Sequence, residues 1–184
     1  MLMHNWHSYL RWEIHHHIPP DQIMNKKINE FVKEMKEQDL TLALAESITC
    51  GMVAEKLATC FGTSDVLQGS IVCYTPEVKN KLLGIPKSIM KKHTCESMKV
   101  TRLLAENLSG LIKADVYAAL TGLASPGGSE TKAKPVGTVF LCVLYKGRLF
   151  RKRLLFRGTP VEIRKKACMA IYDLISKKVL RKNK

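Results

Sequence analysis

Short apolar segments alternate with helical patterns along the chain, and this alternation most restricts the folds that it can adopt. Residues 40–45, 69–74 and 114–122 are each predicted to form a buried strand, because each is a brief apolar run that ends in turn residues. Residues 24–35 and 96–113 carry apolar side chains at helical spacing. Strands that alternate with helices favour a sheet covered by helices.

The C-terminal part adds a hairpin and a final helix. Two β-rich runs surround Lys146 and Gly147, which is typical of an antiparallel hairpin. Thr159, Pro160 and Glu162 match a capping box with proline at the first helical position, so a helix is predicted to begin there. Four apolar residues of this helix are predicted to face the core: Ile163, Ile171, Leu174 and Ile175. The whole pattern predicts an α/β fold, layered α/β/α, with a mixed sheet.

The length of 184 residues predicts one α/β domain with tails. We place the domain at residues 24–179, a basic tail at 180–184 and a poorly ordered extension at 1–23. The extension holds both tryptophans and five of the six histidines, three of them consecutive at positions 15–17. A histidine run can bind metal. Because no second cluster of ligands accompanies it, we predict no metal and no cofactor.

The six cysteines are scattered and form no CxxC pair, which fits a reducing compartment. No stretch approaches the roughly 20 apolar residues that a membrane helix requires. The N-terminus lacks the apolar centre of a secretory signal. These features predict a soluble, cytoplasmic protein that does not bind membranes.

Positive charge is concentrated at the C-terminal end. The formal net charge is +14, and residues 146–184 hold 14 Lys or Arg against two acidic residues. Such a segment can bind nucleic-acid phosphates. We favour a solvated helix face with a basic end, because no aromatic residues interleave with the charges as they do in single-strand binders.

Ser47 stands where the first apolar run turns towards a helix. A serine there can present its hydroxyl at the helix N-terminus, where backbone N–H groups around Thr49, Cys50 and Gly51 are suited to hold a developing oxyanion. Serine is also a favoured N-cap. By spacing alone, capping is the commoner role.

A nucleophilic serine needs a base to remove its proton. His93 stands alone, which argues against a Ser/His/Asp triad. A lysine can act instead where burial or nearby cations favour its neutral form. Lys79 follows the second predicted strand and would meet Ser47 if the two strands are adjacent. The alternatives are a solvated surface lysine and, for Tyr74, a half-buried edge of the core.

Residues 121–128 form a loop of small residues and glycines that would let the backbone approach an anionic ligand. The loop matches neither a Walker loop nor a GxGxxG turn. A plain surface loop explains the same residues equally well.

Five ordered blocks of this sequence resemble the nicotinamide-nucleotide amidase family, also called the CinA C-terminal domain family. They are AESITCG (45–51), CYTPEVK (73–79), LLGIP (82–86), TGLASPGG (121–128) and KPVGTV (134–139). The resemblance runs from about residue 26 to residue 178. Several blocks in the same order are more specific than any one of them.

The resemblance implies hydrolysis of the carboxamide of nicotinamide mononucleotide to nicotinate mononucleotide and ammonia, without metal, by a homodimer. It implies Ser47 as the nucleophile, Lys79 as its base and Tyr74 as an aid to proton transfer. Ten residues are expected to shape or contact the substrate site: Glu46, Thr49, Cys50, Gly51, Thr121, Gly122, Gly127, Gly128, Lys134 and Arg164.

One departure from the family concerns the substrate phosphate. The family reads FxGDR where this chain reads FRGTP at residues 156–160, so an arginine suited to a phosphate is missing. Arg157, Arg164 and Lys134 are candidates to replace it. Two other functions stay open: hydrolysis of another carboxamide, and a non-catalytic protein that binds nucleic acid through residues 146–184.

Overall fold

A computed structural model describes residues 20–180, and its centre is a five-stranded mixed sheet. The strands in chain order are β1 Leu42–Glu46, β2 Leu67–Val72, β3 Val116–Gly122, β4 Thr138–Tyr145 and β5 Arg148–Leu155. They lie in the order β2-β1-β3-β4-β5. Strands β2, β1 and β3 are parallel, whereas β4 and β5 continue the sheet antiparallel.

Six α-helices of the described residues cover the two faces of the sheet. They are α1 Pro20–Glu37, α2 Met52–Ala58, α3 Pro76–Leu83, α4 Lys87–His93, α5 Met98–Leu108 and α6 Pro160–Lys178. Helices α1, α2 and α6 pack on one face, and α3, α4 and α5 pack on the other. This arrangement confirms the predicted α/β/α layers and the mixed sheet.

The sequence of β1 explains how one strand serves both layers. Its side chains alternate between the two faces, so Leu42 and Leu44 join the core of α1, α2 and α6 while Ala43 and Ala45 join the core of α3, α4 and α5. The strand lies between β2 and β3, and all its residues are buried. A continuous apolar run is typical of such a central parallel strand.

The ends of the chain differ from the predicted boundaries. Helix α1 begins at Pro20, four residues before the predicted domain start, and proline is tolerated in a first helical turn. Leu180 is buried, and its backbone N–H donates to the carbonyl of Ile175, so this residue belongs to the core and not to a tail. The histidine run and residues 181–184 lie outside the described residues.

Two internal boundaries also differ from the prediction. Strand β2 ends at Val72, two residues before Tyr74, because the chain already turns towards α3 there. The prediction that this strand is buried is also wrong, because β2 lies at the edge of the sheet and its residues are half-buried or exposed. Helix α5 begins at Met98 and is capped by the Ser97 hydroxyl, so Glu96 precedes the helix instead of opening it. Tyr74 and Glu96 therefore lie in the connecting segments, and both line the cavity described below.

The predicted hairpin and final helix are confirmed. Lys146 and Gly147 have φ of 47° and 72°, the left-handed pair that a tight two-residue hairpin turn requires. Thr159 and Glu162 form both hydrogen bonds of the capping box, with Pro160 at the first position of α6. The four apolar residues predicted to face inward, Ile163, Ile171, Leu174 and Ile175, are buried.

A pair of glycine variants tests the backbone of this framework. Gly137 has φ of 92°, and an added Cβ would overlap the carbonyl oxygen of Phe156, whereas Gly147 has φ of 72° with open space around it. We expect Gly137→Ala to lower the free energy of unfolding by about 2–4 kcal/mol, because it adds a steric overlap to the left-handed penalty. Gly147→Ala should cost only about 1 kcal/mol. Chemical denaturation measures both, and equal losses would contradict the packing around Gly137.

Candidate active site

The carboxyl ends of the parallel strands bring the predicted catalytic segments together. Glu46 at the end of β1 pairs with Val72 of β2 and with Leu120 of β3. The chain that follows each of these strands therefore meets its neighbours at one edge of the sheet. Ligand sites in open α/β sheets lie at such edges.

Ser47 opens a turn that precedes α2. Its backbone N–H donates to the carbonyl of Leu120 (3.1 Å), which fixes the start of the turn against β3. Helix α2 begins five residues later, with Gly51 as its N-cap. The alternative role of Ser47 as a helix cap is therefore wrong, and its hydroxyl is free for another partner.

Glu46 holds this turn from behind. Its carboxylate is fully buried, and its two oxygens accept hydrogen bonds from the backbone N–H groups of Val53 (3.0 Å) and Ala54 (2.9 Å) and from the Ser70 hydroxyl (3.0 Å). A carboxylate at a helix N-terminus is favourable because it satisfies unpaired N–H donors. We therefore revise its predicted role from substrate contact to positioning of the turn that carries Ser47.

Lys79 lies beneath Ser47 and is only 1% exposed. The first turn of α3, capped by Thr75 and Pro76, places it there. Its Nζ lies 3.1 Å from Ser47 Oγ, 2.6 Å from the Cys73 carbonyl oxygen and 3.0 Å from the Tyr74 carbonyl oxygen. The surface-lysine alternative is wrong, and no salt bridge joins this amine to a carboxylate within residues 20–180.

The three neighbours of the Lys79 amine differ in what they can do. The two carbonyl oxygens can only accept, so they take two N–H donors of the amine. The third tetrahedral position of Nζ faces Ser47 Oγ, a hydroxyl that can donate or accept. In the neutral amine this position is the lone pair, so the geometry allows the serine proton to pass to Lys79.

A cavity of about 460 Å³ opens above this pair. Seven of the predicted site residues line it: Ser47, Cys50, Tyr74, Gly122, Gly127, Gly128 and Arg164. Two lining residues carry charge within the part of the chain that the structure describes, Arg164 and Glu96. Glu96 is not among the residues predicted from the sequence.

Arg164 extends from α6 into the cavity, one helical turn after Pro160. Its Nη2 donates to the carbonyl of Thr49 (2.9 Å), and its Nε is buried without a hydrogen-bond partner among the described residues. Residues four apart lie on the same helix face. Arg164 and Pro160 therefore lie on the same face of α6, and both line the cavity. Pro160 stands where the resembled family usually has an arginine.

The side chains of two predicted ligand contacts, Thr121 and Thr49, and the Cβ position of a third, Gly51, lie behind the cavity wall. Thr121 is fully buried, and its hydroxyl is hydrogen-bonded to that of Thr101 (2.7 Å). Thr49 is also fully buried, and a Cβ on Gly51 would face the Val72 side chain at 3.6 Å. The Thr49 hydroxyl is buried without a hydrogen-bond partner among the described residues, and the backbone N–H groups of Thr49 and Gly51 also lack an acceptor there.

Lys134 is also turned away from the cavity. Its Nζ donates to the hydroxyls of Thr94 (2.6 Å) and Ser129 (2.7 Å) and to the carbonyl of Glu96 (3.0 Å). Desolvation by burial lowers the pKa of this amine. Because three protein acceptors use its three donors, its predicted role changes from substrate contact to linkage of two loops.

Cys50 and Tyr74 line the cavity, but neither has the hydrogen bonding that its predicted role requires. Cys50 is exposed in a left-handed conformation (φ 50°), and its N–H donates to the Ser47 carbonyl, so this amide is not free for an oxyanion. Tyr74 is 65% exposed, and its backbone carbonyl is the group that touches Lys79. The Tyr74 hydroxyl forms no hydrogen bond to Ser47 or Lys79.

The backbone of the glycine loop binds a carboxylate of the chain itself, that of Glu130. The N–H groups of Gly127 and Gly128 each donate to one carboxylate oxygen of Glu130 at 2.8 Å. The bond from Gly127 is the largest cause that lowers the pKa of Glu130. The loop thus has the geometry for an anion, as predicted from its glycines, but Glu130 takes these donors. An acidic residue two positions after a glycine pair is the signal that the sequence offered.

The other five cysteines of the described residues do not line the cavity. Burial raises the pKa of Cys73 to about 11 and those of Cys142 and Cys168 to about 12.

Residues 20–180 contain no group of three His, Cys, Asp or Glu side chains that could hold a metal ion. No helix in this range is long and apolar enough to cross a membrane.

Comparison with known sequences gives one family. The sequence model of the CinA C-terminal domain matches residues 24–179. A protein of Geobacillus kaustophilus named putative competence-damage inducible protein is 36% identical over 150 residues, which are 79% of this chain and 36% of that protein. A CinA-like protein of Gemmatimonas aurantiaca is 37% identical over 77% of this chain and 33% of its own length. The chain thus spans about a third of these relatives.

Solved structures agree with the sequence comparison. The competence damage-inducible protein A of Klebsiella pneumoniae superposes with a TM-score of 0.77 at 25% identity, covering 83% of this chain and 96% of that one. The competence/damage inducible protein of Agrobacterium tumefaciens gives 0.79 at 24% identity, over 84% and 94% of the two chains, a likeness of fold.

Proposed function

Since the chain belongs to the CinA C-terminal domain family, we propose that it hydrolyses the carboxamide of nicotinamide mononucleotide to nicotinate mononucleotide and ammonia. The observation that carries the proposal is the buried Lys79 amine 3.1 Å from the Ser47 hydroxyl, at the base of a 460 Å³ cavity. A serine and a buried lysine in contact form a nucleophile and its base.

The proposed reaction has two halves. Neutral Lys79 accepts the Ser47 proton as Ser47 Oγ attacks the carboxamide carbon. Lys79 then donates that proton to the amide nitrogen, the C–N bond breaks, and ammonia leaves an ester on Ser47. Water attacks the ester while Lys79 again takes a proton, and the acid and the free serine form when the proton returns to Ser47.

The turn from Ser47 to Gly51 supplies candidates for oxyanion stabilisation. The backbone N–H groups of Thr49 and Gly51 have no acceptor within the described residues, whereas that of Cys50 is used. A preorganised N–H group aimed at the developing oxyanion is worth roughly 10²–10³ in rate. Glu46 supports this arrangement because it anchors the start of α2 directly after the turn.

Arg164 is the group that we assign to the phosphate. Its side chain lines the cavity, whereas the Lys134 amine is bonded to three acceptors elsewhere and Arg157 lies outside the lining. Charged guanidinium–phosphate hydrogen bonds are among the stronger polar contacts. The proposed site is therefore suited to a ligand with an amide at one end and an anion at the other.

The direct test is release of ammonia from nicotinamide mononucleotide with equal formation of nicotinate mononucleotide. Turnover supports the proposal. If a panel shows that another carboxamide is hydrolysed far better, the reaction class stands and the substrate is wrong. A folded protein that hydrolyses no amide but binds DNA with a steep salt dependence would instead support the nucleic-acid alternative.

Arg164→Gln tests the phosphate assignment. We expect it to raise the KM for nicotinamide mononucleotide by about 10- to 100-fold, because one or two charged hydrogen bonds are lost. The KM for nicotinamide riboside, which lacks the phosphate, should change little. Arg157→Gln is the matched control, since this exposed arginine precedes the same helix but does not line the cavity. Equal effects of the two variants would refute the role of Arg164.

Four further expectations accompany the proposal: a homodimer, a cytoplasmic location, catalysis without a cofactor, and nucleic-acid binding as the less favoured alternative. Each stays a prediction from the sequence.

A further inference from the structure

Glu96 is the one carboxylate among the lining residues of the cavity, within the described part of the chain. Its Oε2 accepts a hydrogen bond from the Ser129 hydroxyl (2.6 Å). Its Oε1 forms no hydrogen bond to residues 20–180. A half-buried carboxylate therefore presents one open acceptor, and hydrogen bonds from a ligand donor to a charged acceptor are stronger than those between neutral groups.

The surroundings hold Glu96 in this place. Ser129, which bonds the carboxylate, is itself bonded by Lys134, and Lys134 also bonds the Glu96 carbonyl and the Thr94 hydroxyl. Thr94 has φ of 65° and ψ of 160°, a region that glycine almost alone adopts. A β-branched residue is costly there. The segment is thus kept in a strained conformation that directs Glu96 to the cavity.

The contacts of Glu96 also indicate which part of the cavity it serves. It bonds the glycine loop and has no bond to Ser47 or Lys79. If the carboxamide lies at Ser47, the donors that remain on a mononucleotide are its ribose hydroxyls. Carboxylates commonly bind ribose hydroxyls in nucleotide sites.

We propose that Glu96 is a specificity-determining residue that accepts a hydrogen bond from a ribose hydroxyl of the bound nucleotide. The inference rests on the proposed function and deepens it, because it states that the site selects a ribonucleotide over a ligand without hydroxyls. It concerns binding, so Ser47→Ala protein is a suitable host for the test.

The experiment compares nicotinamide mononucleotide with its 2′,3′-dideoxy analogue by calorimetry on Ser47→Ala protein. Both ligands carry the same cationic ring and phosphate, so charge attraction to Glu96 cancels in the ratio of their dissociation constants. We expect the ribonucleotide to bind at least about tenfold more tightly. Adding Glu96→Ala should bring the ratio close to one, and Glu96→Gln should leave a smaller preference because a neutral acceptor remains.

Glu77→Ala is the control for loss of charge, since this exposed glutamate lies in the first turn of α3 and does not line the cavity. It should keep the full preference. A preference that survives in both Glu96 variants, or that is absent from the host protein, overturns the inference. Wild-type protein is assayed for ammonia release in parallel. A Glu96-dependent preference without turnover would refute the proposed reaction and leave the ribose contact standing.

Discussion

Ser47→Ala should lower the rate of carboxamide hydrolysis by roughly four orders of magnitude or more, because removal of a nucleophile abolishes the covalent route. Within residues 20–180 the hydroxyl has one hydrogen bond, which it accepts from Lys79, so its loss should leave the fold intact. Thermal unfolding should change by no more than a few degrees. Binding of nicotinamide mononucleotide should persist. Ammonia release measures the activity, and calorimetry measures the binding.

Cys50 provides the control for this prediction. It is a second potential nucleophile, three residues from Ser47 and on the same cavity wall. Cys50→Ala should keep hydrolysis within about tenfold of the wild-type rate, since the thiol has no contact with Lys79 and its backbone bond to Ser47 is retained. If Cys50→Ala were inactive and Ser47→Ala active, the thiol would be the nucleophile and the assignment of Ser47 would be wrong.

Lys79→Met should lower the same rate by about 10³- to 10⁴-fold, because general-base catalysis contributes on this scale. Methionine has a similar length and no hydrogen-bond donor. It leaves the carbonyl oxygens of Cys73 and Tyr74 without the amine, so the free energy of unfolding should also fall by about 1–3 kcal/mol. Urea denaturation separates this loss of stability from the loss of rate.

The double variant Ser47→Ala/Lys79→Met distinguishes a catalytic pair from two independent residues. Groups that act as a unit are not additive, so the double variant should be about as slow as Ser47→Ala alone. Multiplied losses, beyond the rate of either single variant, would mean that Lys79 contributes through something other than the Ser47 proton.

The contact between Ser47 and Lys79 was predicted in part. Apolar runs before Ser47 and before Lys79 indicate strands, and adjacent parallel strands carry their following residues to the same edge. Spacing left open whether the two strands are adjacent, and the family resemblance supplied the pairing. The environment of the Lys79 amine could not be predicted. The Cys73 and Tyr74 carbonyls that surround it depend on how the chain turns between β2 and α3, and no spacing rule describes that turn.

The directions of the charged side chains around the cavity could not be predicted from sequence patterns. Arg164 was one of three candidates for the phosphate contact, and the sequence did not show which of them points inward. The structure places Arg164 in the cavity lining, on the α6 face that also carries residue 160. Lys134, Glu96 and Glu130 lie in loops, where no period relates sequence to direction. Their roles follow from hydrogen bonds between loops far apart in the sequence, such as that from Ser129 to Glu96.

Trapping with hydroxylamine tests the central claim, that Ser47 forms an acyl-enzyme with the carboxamide carbon. The wild-type chain is incubated with nicotinamide mononucleotide and rising hydroxylamine, and ammonia, acid and hydroxamate are quantified. We expect hydroxamate to replace acid while each ammonia released still matches one acyl product, and Ser47→Ala to form neither product. Acid or hydroxamate formed by Ser47→Ala at the wild-type rate would contradict it.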